Sequence, residues 1–534
     1  MVIVAVMDIE TEWQFDAPQL ERLRSALLAR RELAGFRLAH ERRRELRDCY
    51  VDTADQRLAL AGFALRLRSD GVEHEATLKS LAPQAERQPA APLVRREIRQ
   101  RLKGEGLAGL LAETGPVSTR ARQVAGNAPL QALFTLRTHR DTYQAWRGAT
   151  EAAEIVLDDT ELEAADGAPA AGLRRVEVEA QLAPTEQLQP LIQSLEALVE
   201  LQPAGESKFE AGLAAAGLSL PAVADVPAPH INLNASTWQV GQALLQQQLP
   251  IWRRLEPAAR LGEDPEALHD LRVAGRRLIA ALRILEAAPL ARARAMRRQL
   301  RLLLRATSPV RDADVLSALL RTGAVEAQRE WLSPLLSRLE RQRARAQRAL
   351  VRRLDGRRAQ QLLAALDRLC TAPGPRRPNG ATPVLAELLR RHYRRLRRAA
   401  RLAVAEGSAQ NLHQLRLEAK KVRYLAESVA GSYGAPMRRF LSRLQRLQSL
   451  LGDLNDAYHV QECLQSQAQL QQRLDGATMF AMGRATERLE QHRREAVGAV
   501  ERAWRRVSGK TWQRVKRVLR DPPAQSPAGA AAGA

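Results

Sequence analysis

Carboxylate side chains recur at alternating positions in the first part of the chain, a spacing that could hold a metal ion. Asp8, Glu10 and Glu12 alternate near the start, and Glu177 and Glu179 alternate much later. A period of two places such carboxylates on one face of a strand. Like charges on one face are unfavourable unless a cation lies over them. The acids therefore predict either a site for a divalent cation or a solvated strand face.

Basic side chains lie at a similar spacing between these acidic stretches. Arg66 and Arg68 alternate in one strand pattern, Lys79 ends the next, and a later strand brings Arg137 or Arg140 to one face. Acids alone would repel one another inside a sheet, and so would bases. Both together fit a divalent cation that carries a polyphosphate, because oxygen ligands hold Mg²⁺ or Mn²⁺ and guanidinium groups hold phosphate oxygens.

Imidazole and guanidinium groups recur at helical spacing in the second half of the chain. In residues 268–285 one predicted helix face carries His269, Arg272, Arg276 and Arg283. A related stretch 144 residues later supplies His413, Arg416, Lys420 and Arg423. Asp312 and Asp456 lie at the same offset, which predicts an internal duplication of a helical unit. Both histidines either contact an anion or are capped by a carboxylate, and the duplicated pattern favours the anion.

These residues need two kinds of scaffold. Residues 1–215 show short strand patterns at regular spacing, which predicts a closed or nearly closed antiparallel barrel. Residues 238–520 show Leu and Ala at spacings of three and four, which predicts an α-helical bundle of two related halves. Residues 216–237 are predicted to be a linker, and residues 521–534 a disordered tail. The predicted fold class is therefore α+β.

Charge is distributed unevenly along the 534 residues, whose formal net charge is +23. Residues 1–225 hold 27 Lys and Arg against 34 Asp and Glu, and the remainder holds 56 against 26. The basic half would attract polyanions such as polyphosphate, nucleic acid or an anionic membrane, although solvated arginine faces also raise this count. Nucleic acid is disfavoured because aromatic residues make up 4% of the chain, which leaves few stacking surfaces.

A cytoplasmic location is expected. The cysteines Cys49, Cys370 and Cys463 are widely spaced, form no metal-binding pattern and suit a reducing compartment. Residues 1–7 are apolar but too short for a signal peptide. No apolar run of 18 residues occurs, so no membrane span and no membrane partner are expected.

Residues 8–210 resemble a CYTH domain, the triphosphate tunnel metalloenzyme fold. The matching pieces are the acidic first strand, YVDT, LALAGFALRLR, TLK, RRE, EIVLDD, VEVEAQL and SKFEAGL. The resemblance implies an eight-stranded tunnel that acts on inorganic triphosphate with Mg²⁺ or Mn²⁺. It implies catalytic carboxylates at Glu10, Glu12, Glu177 and Glu179, with Asp8 and Asp158 as further metal ligands. It implies phosphate ligands at Arg66, Arg68, Lys79, Arg137, Arg140 and Lys208, with Arg57 as an additional candidate.

The first strand departs from the family's ExExK motif. The chain has either Glu10-x-Glu12-x-Gln14 or, in the other register, Asp8-x-Glu10-x-Glu12. The lysine is missing in both registers, whereas the carboxylates remain. The loss of a cation beside phosphate would lower affinity or alter the substrate.

Residues 238–515 resemble a CHAD domain through DPEALHDLRVAGRR and VRDADV. This resemblance implies polyphosphate binding on the basic helix faces. The two resemblances together imply an inorganic triphosphatase with an attached polyphosphate-binding domain. The alternative, motivated by the missing lysine, is a non-catalytic polyphosphate-binding protein associated with polyphosphate granules.

Overall fold

The structure, a computed structural model, contains two compact units, residues 1–224 and 225–534. It describes residues 8–81, 91–163, 169–221, 235–287, 290–323, 326–374, 380–427, 430–470 and 476–521. Most of the predicted linker and nearly all of the predicted tail lie outside the described residues.

The first unit is built on antiparallel strands. Its strands are β1 (Asp8–Asp16), β2 (Glu32–Leu33), β3 (Phe36–Thr53), β4 (Phe63–Ser69), β5 (His74–Ser80), β6 (Leu93–Leu102), β7 (Leu130–Arg147), β8 (Thr150–Glu163), β9 (Pro169–Ala180) and β10 (Gln202–Pro203). Eight of them follow the order β1-β6-β5-β4-β3-β7-β8-β9, and β9 pairs back with β1. The predicted antiparallel barrel is therefore confirmed, and the barrel is closed.

Strand β1 closes the barrel by pairing with different neighbours along its length. Residues 8–12 pair with β6, and residues 12–16 pair with β9. In this register Glu10 lies opposite Arg95, and Gln14 lies opposite Glu177. Side chains directly opposite each other in a sheet point to the same face. The alternating acids of β1 therefore share a face with residues of β6 and β9.

The first unit also contains short helices. They are α1 (Leu20–Leu28), α2 (Arg57–Leu60), α3 (Gly106–Ala112), α4 (Pro116–Ala125), α5 (Gln189–Leu198) and α6 (Lys208–Ala215), with a 3-10 helix at Thr185–Leu188. Trp13 and Phe15 alternate with the acids of β1 and pack in one apolar cluster with Leu23 of α1 and Leu195 of α5. This apolar core therefore lies outside the barrel, against α1 and α5, while the opposite face of the same strands is polar.

Helix α6 packs into one end of the barrel interior. Its residues Phe209 and Leu213 join a buried apolar cluster with Tyr50 of β3 and Phe134 of β7. Gly212 permits this approach, because a Cβ atom there would lie 2.1 Å from the Phe134 ring. The helix begins at Lys208, directly after the Ser207 cap. Docking of α6 therefore delivers a lysine to the polar interior.

The regular elements of the second unit are helices in the part of the chain that the structure describes. Its helices are α7 (Thr237–Leu261), α8 (Pro265–Leu285), α9 (Ala291–Ala306), α10 (Ser308–Gly323), α11 (Glu326–Asp355), α12 (Arg357–Thr371), α13 (Ala381–Glu406), α14 (Ala409–Glu427), α15 (Ala430–Leu470), α16 (Gly476–Ser508) and α17 (Lys510–Val518). The predicted helical domain is confirmed, whereas its internal duplication remains a prediction.

Helix α8 shows how the amphipathic pattern works. Its Asp264 cap accepts a hydrogen bond from the Glu266 amide at 2.8 Å, which fixes the start of the helix. The leucines at 271, 278 and 282 are buried in the core of the unit, as their spacing predicts. Helix α8 contacts α14, so the two helices that carry the predicted His-x-x-Arg patterns are neighbours. No described helix combines the length and apolar character needed to cross a bilayer.

Candidate functional site

Acids of β1 meet bases of neighbouring strands inside the barrel. Lys79 of β5 places its Nζ atom 2.5 Å from a Glu10 carboxylate oxygen and 3.5 Å from one of Glu12. Arg95 of β6 also contacts the Glu12 carboxylate. Glu12 is only 2% exposed. A buried carboxylate without such partners would be strongly destabilising, so these cations stabilise the buried Glu12 side chain.

Gln14 occupies the next inward-facing position of β1. Its amide nitrogen donates to Glu12 at 3.1 Å and to Glu177 at 3.2 Å. Gln14 thus bridges two carboxylates with a neutral group, where a lysine would add a positive charge. Glu10, Glu12 and Gln14 therefore share the interior face, as alternate positions of one strand do.

A second set of ion pairs surrounds Asp158, which is fully buried. Arg140 donates to both Asp158 oxygens, at 2.8 and 2.6 Å, and Lys208 contacts the same carboxylate. Lys208 also donates to Glu177 at 2.9 Å. Burial would raise the pKa of Glu177, but Lys208 and Arg140 outweigh it and hold that pKa well below its usual range. Both acids are therefore ionised at neutral pH.

The third set lies on β3 and β4. Arg68 donates to both oxygens of Asp48 at 2.7 Å, and Arg66 lies 4.0 Å from the same carboxylate. Burial opposes ionisation of Asp48, yet Arg68 and Arg66 lower its pKa below the usual range. Arg66 and Arg68 are thus brought together inside the barrel, as their alternation predicts.

Glu179 differs from the other interior acids. Burial, followed by repulsion from Glu10, raises the pKa of Glu179 to about 7. Nearby Glu97 is also buried, but Arg99 donates to it at 2.7 Å and offsets its burial, so its pKa is lowered. Glu10 and Glu179 therefore form a part of the interior where negative charge is incompletely balanced.

Three of the predicted site residues lie away from these interior ion pairs. Arg137 lies on the outer face, half exposed and 3.5 Å from Glu45. Arg137 and Arg140 are separated by three positions, so in a strand they must face opposite sides. Asp8 is exposed at the start of β1. Arg57 donates to the carbonyl of Ala125 at the end of α4, which makes it a helix-end contact.

Several residues on the interior face were not predicted from the sequence. Asp48, Arg95 and Glu97 are buried, and Arg99 is half exposed and donates to Glu97. The alternation of Arg95, Glu97 and Arg99 along β6 was a usable signal, because it repeats the period-two pattern of β1.

The interior carboxylates fit a divalent cation in donor chemistry. Glu10, Glu12, Glu177 and Glu179 are oxygen donors on adjoining strands, and the repulsion between Glu10 and Glu179 is what a cation would relieve. Among the described residues no group of three or more His, Cys, Asp or Glu side chains is already gathered as a metal site. Lys79, Arg95 and Lys208 contact three of these carboxylates, those of Glu10, Glu12 and Glu177.

The predicted polyphosphate-binding residues of the second unit gather around a cavity of about 680 Å³. Seven of them line it, namely His269, Arg272, Arg276, Arg283, His413, Arg416 and Lys420. Further cations at its wall are Arg301, Arg311 and Lys421. Asp312 is the one carboxylate among the described lining residues. The eighth predicted residue, Arg423, is not part of the lining and lies 3.2 Å from Glu427 instead.

Positive charges crowd one another in this cavity. Burial, then Arg276, lowers the pKa of Arg272 to about 10. Burial, then Arg297 and Arg301, lowers the pKa of Arg283 to about 10 as well. Both side chains remain charged at neutral pH, and their repulsion is what a bound anion would relieve.

Local hydrogen bonds orient the cavity residues. Arg272 of α8 contacts the Thr307 hydroxyl and donates to Ser308 at 3.1 Å, which anchors it to the start of α10. The His413 ring bonds through Nδ1 to the Asn455 side chain at 2.7 Å. Burial and then Arg311 lower the pKa of His269, so this imidazole is neutral at neutral pH. The two histidines therefore lie in different environments.

Two family models match the chain. A CYTH domain matches residues 9–213, and a CHAD domain matches residues 243–465. The first match spans the barrel, and the second spans the helices that line the cavity. None of the curated proteins compared with the chain matches it.

Solved structures of limited identity resemble parts of the chain. The CHAD domain from the plant Ricinus communis is 27% identical, with a TM-score of 0.46, and the match covers 53% of this chain and 96% of that one. PptA from Streptomyces chartreusis is 23% identical, with a TM-score of 0.41, and the match covers 51% of this chain and 100% of that one. HpAC1 from Hippeastrum is 20% identical, with a TM-score of 0.30, and the match covers 40% of this chain and 98% of that one. HpAC1 is described as a putative adenylyl cyclase with a dominant triphosphatase activity.

Proposed function

Because the chain carries a CYTH domain followed by a CHAD domain, we propose that its barrel hydrolyses inorganic triphosphate and that its helical cavity binds polyphosphate. CYTH domains form a family of triphosphate tunnel hydrolases that typically use divalent metals. The observation that carries the proposal is the barrel interior, where the carboxylates of Glu10, Glu12 and Glu177 contact the bases Lys79, Arg95 and Lys208, which line one cavity.

The bases would bind the substrate. Arg66, Lys79 and Lys208 line a cavity of about 60 Å³ inside the barrel, with Arg68 and Arg140 on neighbouring ion pairs. Guanidinium and ammonium groups at fixed positions stabilise negative charge on phosphoryl oxygens as the bond to the leaving phosphate breaks. Asp158 and Asp48 hold Arg140 and Arg68 in place, so these cations are oriented before the substrate arrives.

The acids would hold the metal ion. Glu10, Glu12, Glu177 and Glu179 supply the oxygen ligands, and a bound Mg²⁺ or Mn²⁺ would polarise a phosphoryl oxygen. A carboxylate of the same set would orient the attacking water. Burial of the interior keeps bulk water away, which strengthens each of these electrostatic contacts.

The helical cavity would bind longer phosphate chains. Eight Lys and Arg side chains against one Asp leave an excess of positive charge along the described lining. Arginine forks match phosphate oxygens, and fixed positions such as that of Arg272 reduce the ordering needed on binding.

A substrate panel tests the enzymatic part. The full chain is incubated with tripolyphosphate, ATP, thiamine triphosphate or long-chain polyphosphate, with Mg²⁺ or Mn²⁺, and released phosphate is measured. We expect release from tripolyphosphate and its loss in the Glu177→Gln/Glu179→Gln variant. Release no faster than in that variant would contradict the proposal.

A non-catalytic polyphosphate-binding protein is the second candidate. The observation in its favour is Gln14, which gives the interior a neutral amide between Glu12 and Glu177. Polyphosphate binding that is abolished by Arg272→Gln/Arg416→Gln, without phosphate release from any member of the panel, would favour this candidate.

A further inference from the structure

We propose that Arg95 is a substrate-binding residue of the barrel, holding a phosphate oxygen beside Glu12 at the place where Gln14 supplies no charge. This inference rests on the proposed hydrolysis of triphosphate and names one residue on which binding depends.

Register and burial place Arg95 at the site. On β6 it lies directly opposite Glu10 of β1, and its guanidinium contacts Glu12. The residue is 8% exposed and lines the interior cavity together with Gln14, Lys79 and Lys208. Arg95 is therefore an interior cation held against the first strand, although it falls in a stretch that also contains the outward-facing Arg96.

The Arg95 guanidinium is only partly used by these contacts. One terminal nitrogen contacts Glu12, whereas the buried Nε atom has no hydrogen-bond partner among the described residues. A guanidinium carries five N–H donors in a planar fork. It can therefore hold a carboxylate and a phosphate oxygen at the same time, and a buried donor without a partner costs free energy until an acceptor arrives.

The neutral side chain of Gln14 leaves the positive charge beside Glu12 to be supplied by other residues. Its amide already donates to Glu12 and Glu177 and carries no charge. The described cations in contact with Glu12 are then Lys79 and Arg95. A phosphate that approaches Glu12 is repelled by the carboxylate unless such cations stay beside it. Removing one of these two cations should therefore weaken phosphate binding strongly.

The competing explanation is that Arg95 only neutralises Glu12 and stabilises the fold. Kinetics on the full chain with tripolyphosphate separate the two roles. The variants are Arg95→Gln, Arg95→Lys and the relocation variant Gln14→Lys/Arg95→Gln, which moves the charge from β6 to β1. Arg96→Gln is the matched control, because Arg96 is exposed on the same strand and faces Phe63 on the opposite side.

The binding role predicts a split between kinetic constants. Arg95→Gln should raise KM about tenfold or more with kcat within about threefold, since one charge-assisted contact to the anion is lost. The KM of Arg95→Lys should lie between those of the wild type and Arg95→Gln. The relocation variant should recover most of the affinity for tripolyphosphate. Arg96→Gln should leave both constants unchanged. Unfolding curves recorded for each variant show whether the folded state persists.

Two results would overturn the inference. One is an unchanged KM in folded Arg95→Gln. The other is a KM defect that the relocation variant does not recover while the unfolding midpoint falls, which marks a structural ion pair.

A wild-type chain that releases no phosphate would contradict the proposed function instead. The role of Arg95 is then tested by calorimetry, which measures the binding of tripolyphosphate to the full chain. The chain used carries Arg272→Gln/Arg283→Gln/Arg416→Gln, so that the helical cavity does not contribute to binding. Weaker binding when Arg95→Gln is added supports the inference, and equal binding overturns it.

Discussion

The barrel interior and the helical cavity both gather basic side chains, but they balance the charge differently. In the barrel, Lys208 and Arg140 are paired with the buried Asp158. In the cavity, eight Lys and Arg residues face one Asp among the described lining residues. Cations in the barrel therefore stabilise the fold through their ion pairs, whereas those in the cavity repel one another. Removal of a base should have opposite effects on stability in the two places.

The largest effect is expected for Lys208→Met. This change leaves Arg140 as the remaining described ion-pair partner of Asp158 and Glu177, so it should lower the free energy of unfolding by about 3 kcal/mol, as for a broken buried ion pair. Denaturant unfolding of the full chain measures it. Lys103→Met, at an exposed lysine of the same unit, should change stability little. Equal stability of both variants would mean that the barrel does not depend on internal pairing.

Gly212→Ala tests whether α6 positions Lys208. The new Cβ atom would lie 2.1 Å from the Phe134 ring, so α6 must move. We expect a loss of about 1–3 kcal/mol of stability, typical of overpacking, together with a higher KM for tripolyphosphate. Gly205→Ala is the control, since a Cβ atom there meets nothing within 4 Å. Identical kinetics in the two variants would show that the lysine is held independently of the helix.

Glu179 should give the metal-free barrel a pH dependence. Its pKa is raised from 4.5 to about 7 in the folded chain, so between these values the folded chain binds more protons than the unfolded one. Stability should therefore fall by about 1–2 kcal/mol as pH rises through this window. Glu179→Gln should flatten this part of the profile, measured by thermal unfolding without added metal. A variant profile parallel to that of the wild type would contradict the assignment.

The smallest effect, and the one of opposite sign, is expected for Arg283→Met. The strongest charges acting on this buried guanidinium are those of Arg297 and Arg301, so its removal relieves repulsion. We expect the helical unit to gain up to about 1 kcal/mol of stability, while polyphosphate binds more weakly. Exposed Arg294→Met should change neither quantity appreciably. Destabilisation as large as that of Lys208→Met would remove the contrast between the two regions.

The alternation of charged residues predicted much of the barrel, because a period of two requires only local strand geometry. Arg66 and Arg68 share a face for that reason, and Glu177 and Glu179 likewise. The choice between Arg137 and Arg140 remained open in the sequence, since both lie on one strand and only the pairing with β8 fixes which faces inward.

Contacts that depend on closure of the fold could not be predicted. Gln14 reaches Glu177 only because β9 returns to β1. Helical periodicity likewise predicted the basic faces of α8 and α14, but their common cavity depends on how these helices pack. Arg95 was missed because the adjacent Arg96 obscures the alternation along β6.

The placement of the apolar core outside the barrel has a consequence for protein engineering. Along β1, Trp13 and Phe15 secure the helices, while Glu10, Glu12 and Gln14 face the ligand space. Odd and even positions of one strand can therefore be varied as separate sets. A library that exchanges inward residues in charge-balanced pairs, and leaves the outward ones intact, should retarget the tunnel to other anions without rebuilding the scaffold.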